Sequence, residues 1–164
     1  SERKSKSIAE YFNSLSVVTV SISYEFDPND QLKAMELDAS ELNNKYVKEK
    51  DEDLKSIANG ITGFKGHVTL NISEPMEFES NDDYQEISNK ITNSILKMYE
   101  LHPTNYAACN LLGWDWQGQT NFSSKEIHLA QKELDKRTKP LGISARSKLL
   151  EQYANPVIRK QPSH

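Results

Sequence analysis

A run of apolar and hydroxyl-bearing residues at positions 16–24 constrains the fold of this chain more than any other segment. The run is rich in β-branched residues and alternates in side-chain type, which is typical of a β-strand. The polar residues at 25–28 follow it directly. In open α/β sheets, ligand-binding groups gather where strands end. The sequence therefore predicts a buried strand with candidate binding residues at its end.

The two faces of this strand differ in chemistry. One face is apolar and the other carries hydroxyls: Val18, Val20, Ile22 and Tyr24 against Thr19, Ser21 and Ser23. We expect the apolar face to pack against the interior, because strands buried on one side alternate in this way. The hydroxyl face either lines a cleft or packs under a covering helix.

The rest of the chain predicts one more strand and several helices. Residues 67–73 alternate as a strand does. Apolar spacing predicts helices over 3–15, from a cap at Ser80 or Asn81 to about 102, from Ser123 or Ser124 to 136, and over 143–154. Two shorter helices follow residues 27–28 and 48–53. The predicted fold class is α/β: a partial sheet of few strands covered by helices, with a helical C-terminal extension.

Two segments between the later helices carry weaker signals. Residues 106–112 are a short apolar stretch, and residues 113–121 have the composition of a loop. Trp114 and Trp116 either anchor this loop or form an exposed contact.

Composition favours a part of a larger protein. Apolar residues make up 36% of the 164-residue chain and its mean hydropathy is −0.73, which is polar for a domain with a core of its own. A single cysteine, Cys109, rules out an internal disulfide framework and fits a reducing compartment. No apolar run approaches the roughly 20 residues that cross a bilayer as a helix.

Charge is distributed unevenly along the chain. The net charge is −4, but residues 125–164 carry nine Lys and Arg against four Asp and Glu. Basic helices can lie on anionic lipid, although an ordinary solvated helix face has the same composition. Nucleic-acid binding is not expected, since the pI is about 5.6 and no stacking motif accompanies the basic tail.

Five residues are candidates for binding a substrate. Tyr24, Glu25 and Asp27 lie at the predicted strand end, Lys33 lies one helical turn beyond it, and Lys65 lies in a glycine-rich turn. An ammonium group and backbone N–H groups at such a turn can hold a phosphate. The two lysines can equally form surface salt bridges.

Metal and nucleotide motifs are missing from the sequence. No His or Cys cluster has metal-ligand spacing, so we predict no metal and no cofactor. We interpret His102, which precedes Pro103, as a helix-end cap.

Four sequence blocks resemble the C-terminal half of bacterial 1-acyl-sn-glycerol-3-phosphate acyltransferases, of the glycerophospholipid acyltransferase superfamily. Block 1 is SISYEFDP at 21–28, and block 2 is EDLKSI at 52–57 with GITGFKGHV at 60–68. Block 3 is LHPTNY at 101–106, and block 4 is YANPV at 153–157. The strand that leads into block 1 departs from the family in having Thr19 where a proline is expected.

The resemblance implies a reaction. In this family, the His of a His-x-x-x-x-Asp motif takes a proton from a glycerol hydroxyl, whose oxygen then attacks an acyl thioester, and basic residues hold the substrate phosphate. The acyl donor is acyl-CoA or acyl carrier protein, and the acceptor is a lysophosphatidate-type lipid.

The catalytic motif is absent from this sequence. The residues five positions after His67, His102 and His128 are Ile72, Ala107 and Glu133. On a helix, His128 and Glu133 would point about 140° apart, so they do not form a substitute pair. We therefore expect the chain alone to be inactive.

The resemblance also predicts organisation, location and partners. Residues 1–112 would be the C-terminal half of an acyltransferase domain, and 113–164 a loop and basic helical extension. We expect a cytoplasmic protein that can associate with the inner face of the cell membrane; its oligomeric state stays open. The alternative is a non-catalytic module whose basic helices contact anionic lipid or an acidic protein partner. The cations concerned are Lys132, Lys136, Arg137, Arg146 and Lys148.

Overall fold

Seven helices and two strands make up the part of the chain that the structure describes. The structure is a computed structural model that describes residues 6–43, 50–116 and 120–160. The elements are α1 (Ile8–Ser14), β1 (Val20–Tyr24), α2 (Asp30–Asn43), α3 (Glu52–Thr62), β2 (Val68–Ile72), α4 (Tyr84–Met98), α5 (Pro103–Leu112), α6 (Ser124–Thr138) and α7 (Ile143–Lys160). The two strands form one antiparallel sheet. The predicted fold class, a small sheet covered by helices with a helical C-terminal part, is confirmed.

Parts of some predicted elements fall outside the described residues. They are the first residues of the helix predicted over 3–15, the start of the charged run at 48–53 and the middle of the loop predicted over 113–121. Within the described residues, no helix is both long and apolar enough to cross a membrane.

The chain divides into two compact units, each built from two segments. Unit 1 comprises Ser1–Ser23 and Thr69–Glu100, and unit 2 comprises Tyr24–Val68 and Leu101–His164. Within unit 2, α5, α6 and α7 pack on one another. The division predicted between residues 112 and 113 stays a prediction.

The core of unit 1 lies between α1, α4 and the segment after β2. Ala9, Phe78 and Ile87 are buried there. The side-chain amide of Asn13 pairs with the backbone of Phe78 in the way that two strand residues pair. Its nitrogen donates to the carbonyl of Phe78 at 2.8 Å, and its oxygen accepts from the N–H of Phe78 at 2.9 Å.

The strand faces are reversed relative to the prediction. Thr19, Ser21 and Ser23 are buried, at 4%, 3% and 2% exposure. The predicted packing face is exposed instead, at 46–47% for Val18, Val20 and Ile22. The hydroxyl of Thr19 lies 2.7 Å from that of Ser94 in α4. Small hydroxyl side chains allow a helix to approach the strand closely, so at Thr19 the covering-helix alternative is correct.

Helix α4 begins at a cap other than the predicted one. The predicted caps were Ser80 and Asn81, but Asp83 is the N-cap. Its side chain accepts from the N–H of Glu86 at 2.9 Å, while Glu86 accepts from the N–H of Asp83 at 3.0 Å. This reciprocal capping box satisfies two helix-end N–H groups at once, which Ser80 or Asn81 could not do for the same turn.

The core of unit 2 is formed by α5, α6 and α7, with α2 packed on α7. Leu134, Leu149 and Ala154 are fully buried. Helix α6 starts at the predicted Ser123, which forms a capping box with Glu126. Trp116 anchors its loop, since its ring packs on Tyr106 with 4.8 Å between centroids.

Two helices of unit 2 differ from their predicted extent. Helix α5 replaces the unassigned apolar stretch at 106–112 and begins at Pro103, which suits a first helical turn. Helix α7 passes through Pro156 and ends at Lys160 rather than near 154. The buried Val157, at 4% exposure, packs the extra turn against the core and offsets the backbone hydrogen bond that Pro156 cannot make.

The reversed strand gives a test by substitution. Among the described residues, the buried hydroxyl of Ser21 has no hydrogen-bond partner. We expect Ser21→Ala to leave the free energy of unfolding unchanged or raise it, because an unpaired buried hydroxyl costs stability. Thr19→Val removes the bond to Ser94 and should cost about 1 kcal/mol. Urea unfolding measures both changes. A larger loss for Ser21→Ala than for Thr19→Val would contradict the observed packing.

Candidate functional site

The candidate site begins where β1 ends, on the connection to α2. Backbone pairing with the second strand continues past Tyr24: the N–H of Glu25 donates to the carbonyl of His67 at 2.8 Å, and that of Phe26 donates to Lys65 at 2.9 Å. Tyr24 itself is half-buried at the end of the strand. The antiparallel pairing therefore places the glycine-rich turn of block 2 beside the predicted site residues.

Glu25 and His67 form the first contact of the site. The carboxylate Oε2 of Glu25 accepts from the backbone N–H of His67 at 3.0 Å and lies 2.8 Å from its imidazole Nδ1. Burial raises the pKa of Glu25, but the hydrogen bonds from His67 outweigh burial, and the pKa lies below its ordinary value. This contact therefore stabilises the fold above the ordinary glutamate pKa and is lost as the pH falls through the lowered one.

Gly66 makes room for this contact. Its φ of 63° lies in the left-handed region, and a Cβ placed on it would lie 2.4 Å from Oε2 of Glu25. Only glycine fits both conditions without strain.

Asp27 organises the turn into α2. Its Oδ1 accepts from the N–H of Asn29 at 2.8 Å, and its Oδ2 forms a salt bridge with Lys33 at 2.7 Å. The side chain of Lys33 is 55% exposed. The structure thus brings two predicted site residues, Asp27 and Lys33, into direct contact.

Asp30 lies beneath this turn and is almost fully buried. At 1% exposure, its Oδ2 accepts from Arg137 at 2.8 Å and from the hydroxyl of Tyr153 at 2.7 Å. The guanidinium of Arg137 also lies over the ring of Phe26, 4.9 Å from its centroid. Burial, and then the charge of Asp30, raise the pKa of Tyr153 far above that of a free tyrosine. Tyr153 therefore acts as a neutral hydrogen-bonding group.

Tyr153 ties this buried pair to the predicted site. Its hydroxyl oxygen accepts from the backbone N–H of Asp27 at 2.8 Å while its proton goes to Asp30. One side chain of α7 thus fixes both ends of the turn.

Helix α5 supports the same turn from another direction. The hydroxyl of Thr104 donates to the carbonyl of Glu25 at 2.8 Å. The side-chain amide of Asn105 donates to the carbonyl of Tyr153 at 2.8 Å, and its oxygen accepts from the N–H of His102 at 2.6 Å. His102 is the N-cap of α5. Its predicted role, as a cap at the end of the preceding long helix, is wrong, because α4 ends at Met98 with Tyr99 as its C-cap. Thr104 and Asn105 are buried because they serve these backbone groups.

Lys65 lies in its predicted turn, where it caps α3. Its Nζ donates to the carbonyls of Ile61 at 3.2 Å and Gly63 at 3.1 Å. The backbone carbonyl of Lys65 accepts from the N–H of Phe26, and this bond places Lys65 beside the predicted residues at the end of β1. Whether Tyr24, Glu25, Asp27, Lys33 and Lys65 bind a substrate stays a prediction.

Sequence reasoning missed the residues that hold the site together. The sequence gives no sign of the role of Asp30, and it places Arg137 only among the basic residues of the tail. Thr104 and Asn105 belong to block 3 and Tyr153 to block 4, so the resemblance includes these three residues without assigning them a role. The tyrosine hydroxyl is the clearest physical signal, because it needs a partner when it is buried.

Neither metal binding nor thiol chemistry gains support in this part of the fold. The described residues contain no group of three or more His, Cys, Asp or Glu arranged to hold a metal ion. Burial raises the pKa of Cys109 to about 11, so its thiol stays protonated at neutral pH.

No protein-family model, curated protein or solved structure matches this chain. The resemblance to acyltransferases stays a prediction made from the four sequence blocks.

The turn at Gly66 gives a second prediction. We expect Gly66→Ala to lower the free energy of unfolding by about 1–3 kcal/mol, because the residue has positive φ and its Cβ would meet Glu25. Gly142→Ala is the control, since nothing lies within 4 Å of its Cβ position. Chemical denaturation of both variants measures the difference. Equal losses would show that Glu25 does not pack on this turn.

The buried ion pair gives a third prediction. Asp30→Ala leaves Arg137 and Tyr153 without their acceptor and should cost about 3–5 kcal/mol. Asp135→Ala is the matched control, because its pair with Arg146 is about half exposed on both sides; it should cost no more than about 1 kcal/mol. Thermal unfolding of the two variants decides the matter, and a small loss for Asp30→Ala would refute its structural role.

Proposed function

We propose that this chain is the C-terminal region of a phospholipid-biosynthesis acyltransferase. The intact enzyme would move an acyl group from acyl-CoA or acyl carrier protein to the free hydroxyl of a lysophosphatidate-type lipid. The hydroxyl oxygen attacks the thioester carbonyl, an ester C–O bond forms, the C–S bond breaks, and the proton passes through a catalytic base to the leaving thiol. That base lies outside this sequence, which contains no His-x-x-x-x-Asp motif.

The observation that carries the proposal is the convergence, within unit 2, of blocks 2, 3 and 4 on residues 24–28 of block 1. Block 1 meets block 2 through Glu25 and His67. Block 3 meets block 1 through Thr104, and block 4 meets block 1 through Tyr153. Residues up to 126 positions apart thus share one hydrogen-bonded cluster at a strand end. This is the arrangement expected if the blocks belong to one functional region rather than to chance similarity.

In this proposal the cluster positions the strand end against the acceptor lipid. Lys33 and Lys65 are the cations on the described part of this turn whose charges are not held by a buried carboxylate, and a phosphate would bind there. Since the acceptor is a membrane lipid, we place the intact protein in the cytoplasm at the inner face of the cell membrane.

The alternative, a non-catalytic basic module, gains less support. Four of its five cations are ion-paired with neighbouring carboxylates, at distances of 2.5–3.1 Å: Lys136–Glu133, Arg137–Asp30, Arg146–Asp135 and Lys148–Glu41. Paired charges attract an anionic surface or an acidic protein less strongly than free ones. We therefore keep the acyltransferase as the proposal.

Complementation and a lipid assay test the proposal. The complete gene product that contains this chain would be expressed in a strain whose own lysophosphatidate acyltransferase is temperature-sensitive. We expect growth at the restrictive temperature and conversion of labelled lysophosphatidate and acyl-CoA to phosphatidate. The 164-residue chain expressed alone should give neither result. A gene product without His-x-x-x-x-Asp, or one that is folded and makes no phosphatidate, would refute the proposal.

The same assay tests whether Lys33 binds the substrate or only forms its salt bridge with Asp27. Lys33→Ala should raise KM for lysophosphatidate several-fold with little change in kcat, as expected when ground-state and transition-state binding are lost together. Lys136→Ala is the control, since it removes a similarly exposed ion-paired lysine from α6. An unchanged KM for Lys33→Ala would assign that lysine to its salt bridge alone.

A further inference from the structure

Helix α3 is oriented opposite to an ordinary surface helix. Its four large apolar residues all point outward: Leu54 is 66% exposed, Ile57 60%, Ile61 74%, and Phe64, just past the helix end, 69%. Leu54, Ile57 and Ile61 are spaced by three and four, so they lie in one row along the helix. Phe64 follows the extended residue Gly63 and adds to the exposed apolar surface, although its ring also contacts that of Phe26 at 5.7 Å between centroids. We call these four residues the α3 stripe.

The inward side of α3 is small and polar. The side-chain amide of Asn59 donates to the carbonyl of Pro28 at 2.5 Å and to the side-chain oxygen of Asn29 at 2.9 Å. Asn29 in turn donates to the carbonyl of Ser56 at 3.1 Å. Gly63 allows the close approach, because a Cβ there would lie 2.5 Å from the Cβ of Pro28.

These hydrogen bonds fix the direction of the stripe. If α3 turned over to bury its apolar side, the half-buried amides of Asn29 and Asn59 would give up these hydrogen bonds, each worth about 1 kcal/mol. The exposure of the α3 stripe is therefore built into the packing of unit 2. Contiguous exposed apolar surface of this kind marks an interaction site.

The size and charge of the stripe indicate its partner. Four such side chains offer on the order of 400–500 Å² of apolar surface, against about 800 Å² per partner in a standard protein interface. Residues 50–65 carry three lysines and three acidic residues, so they have no net charge with which to select a charged protein. A lipid surface needs no minimum area and no complementary charge, because binding scales with the apolar area inserted.

We propose that the α3 stripe lies in the interface of a lipid bilayer and holds unit 2 against the membrane. The choice of lipid over protein rests partly on the proposed function, whose acceptor is a membrane lipid. This contact differs from the basic-tail alternative, since apolar insertion is independent of salt whereas attraction between charges is screened by salt.

Vesicle flotation tests the inference. The 164-residue chain is mixed with neutral phosphatidylcholine vesicles and floated on a density gradient at low and high salt. We expect it to float with the vesicles at both salt concentrations. The double variant Ile57→Ser and Ile61→Ser should reduce the bound fraction by about tenfold or more, because both side chains carry the inserted area. Far-UV circular dichroism should be unchanged, since both residues are exposed.

A matched control and a direct contact probe complete the experiment. Leu129→Ser with Ile143→Ser removes two exposed apolar residues from α6 and α7, at 55% and 94% exposure, and should leave flotation unchanged. Phe64→Trp should add a fluorescence component that shifts to shorter wavelength when vesicles are added.

Three results would overturn the inference. These are failure of the wild-type chain to float, equal flotation of the stripe and control variants, and a dimer in sedimentation velocity that the stripe variant dissociates. The last result would make a second copy the partner. Because no acyl transfer is measured, loss of the proposed function would leave a positive flotation result standing, and failed flotation would leave the acyltransferase proposal standing.

Discussion

The architecture of unit 2 depends on the burial of one negative charge, Asp30. Its carboxylate is shared by Arg137 of α6 and Tyr153 of α7, while its own helix is α2. Gln31 strengthens the link by donating to the carbonyl of Arg137 at 2.6 Å. A carboxylate in the interior is tolerated only when it is paired and fully hydrogen-bonded. The three helices must therefore meet at this point, and the turn from β1 into α2 is fixed with them.

This constraint explains why the strand end is held by side chains from distant parts of the chain. The turn contains backbone groups that neither β1 nor α2 can pair. Tyr153 accepts from Asp27, and Thr104 donates to the carbonyl of Glu25. Buried backbone groups require partners. The hydroxyls of Thr104 and Tyr153 meet this need, and the ring of Tyr153 also packs in the hydrophobic core of unit 2.

The sequence predicted periodicity well and direction poorly. The alternation over β1, the strand at 67–73 and the long helix α4 were all identified from spacing. The outward direction of Val18, Val20 and Ile22 was not, because a period of two says only that the two faces differ. The element that packs on each face decides which face is buried. At Thr19 this element is α4, and a small hydroxyl side chain lets the helix approach the strand closely.

The direction of side chains in α2 could not be predicted either. In α2, Ala34 and Asp30 are buried at 0% and 1%, whereas Met35 and Leu37 are exposed at 45% and 47%. Composition alone would place leucine and methionine inside and aspartate outside. The pairing of Asp30 with Arg137 connects residues 107 positions apart. A local sequence pattern cannot predict a contact between residues so far apart in the chain. The extent of α5 and α7 was missed for a related reason, since buried Thr104, Asn105 and Val157 stabilise turns that local propensity would end.

The three cations near the end of β1 differ in how firmly the fold holds them. Arg137 cannot leave Asp30, because an unpaired buried carboxylate would remain. Lys33 is 55% exposed and pairs with Asp27, which is 29% exposed; a bridge at such a partly exposed position contributes no more than about 1 kcal/mol. Lys65 contacts two neutral carbonyls at the end of α3, which together act as a fraction of a charge. A phosphate group carries about −1.5 to −2 charges at neutral pH, so it attracts either lysine more strongly than its present partner does. The fold thus fixes Arg137 for structure and leaves Lys33 and Lys65, the two lysines for which phosphate binding is proposed, in weaker contacts.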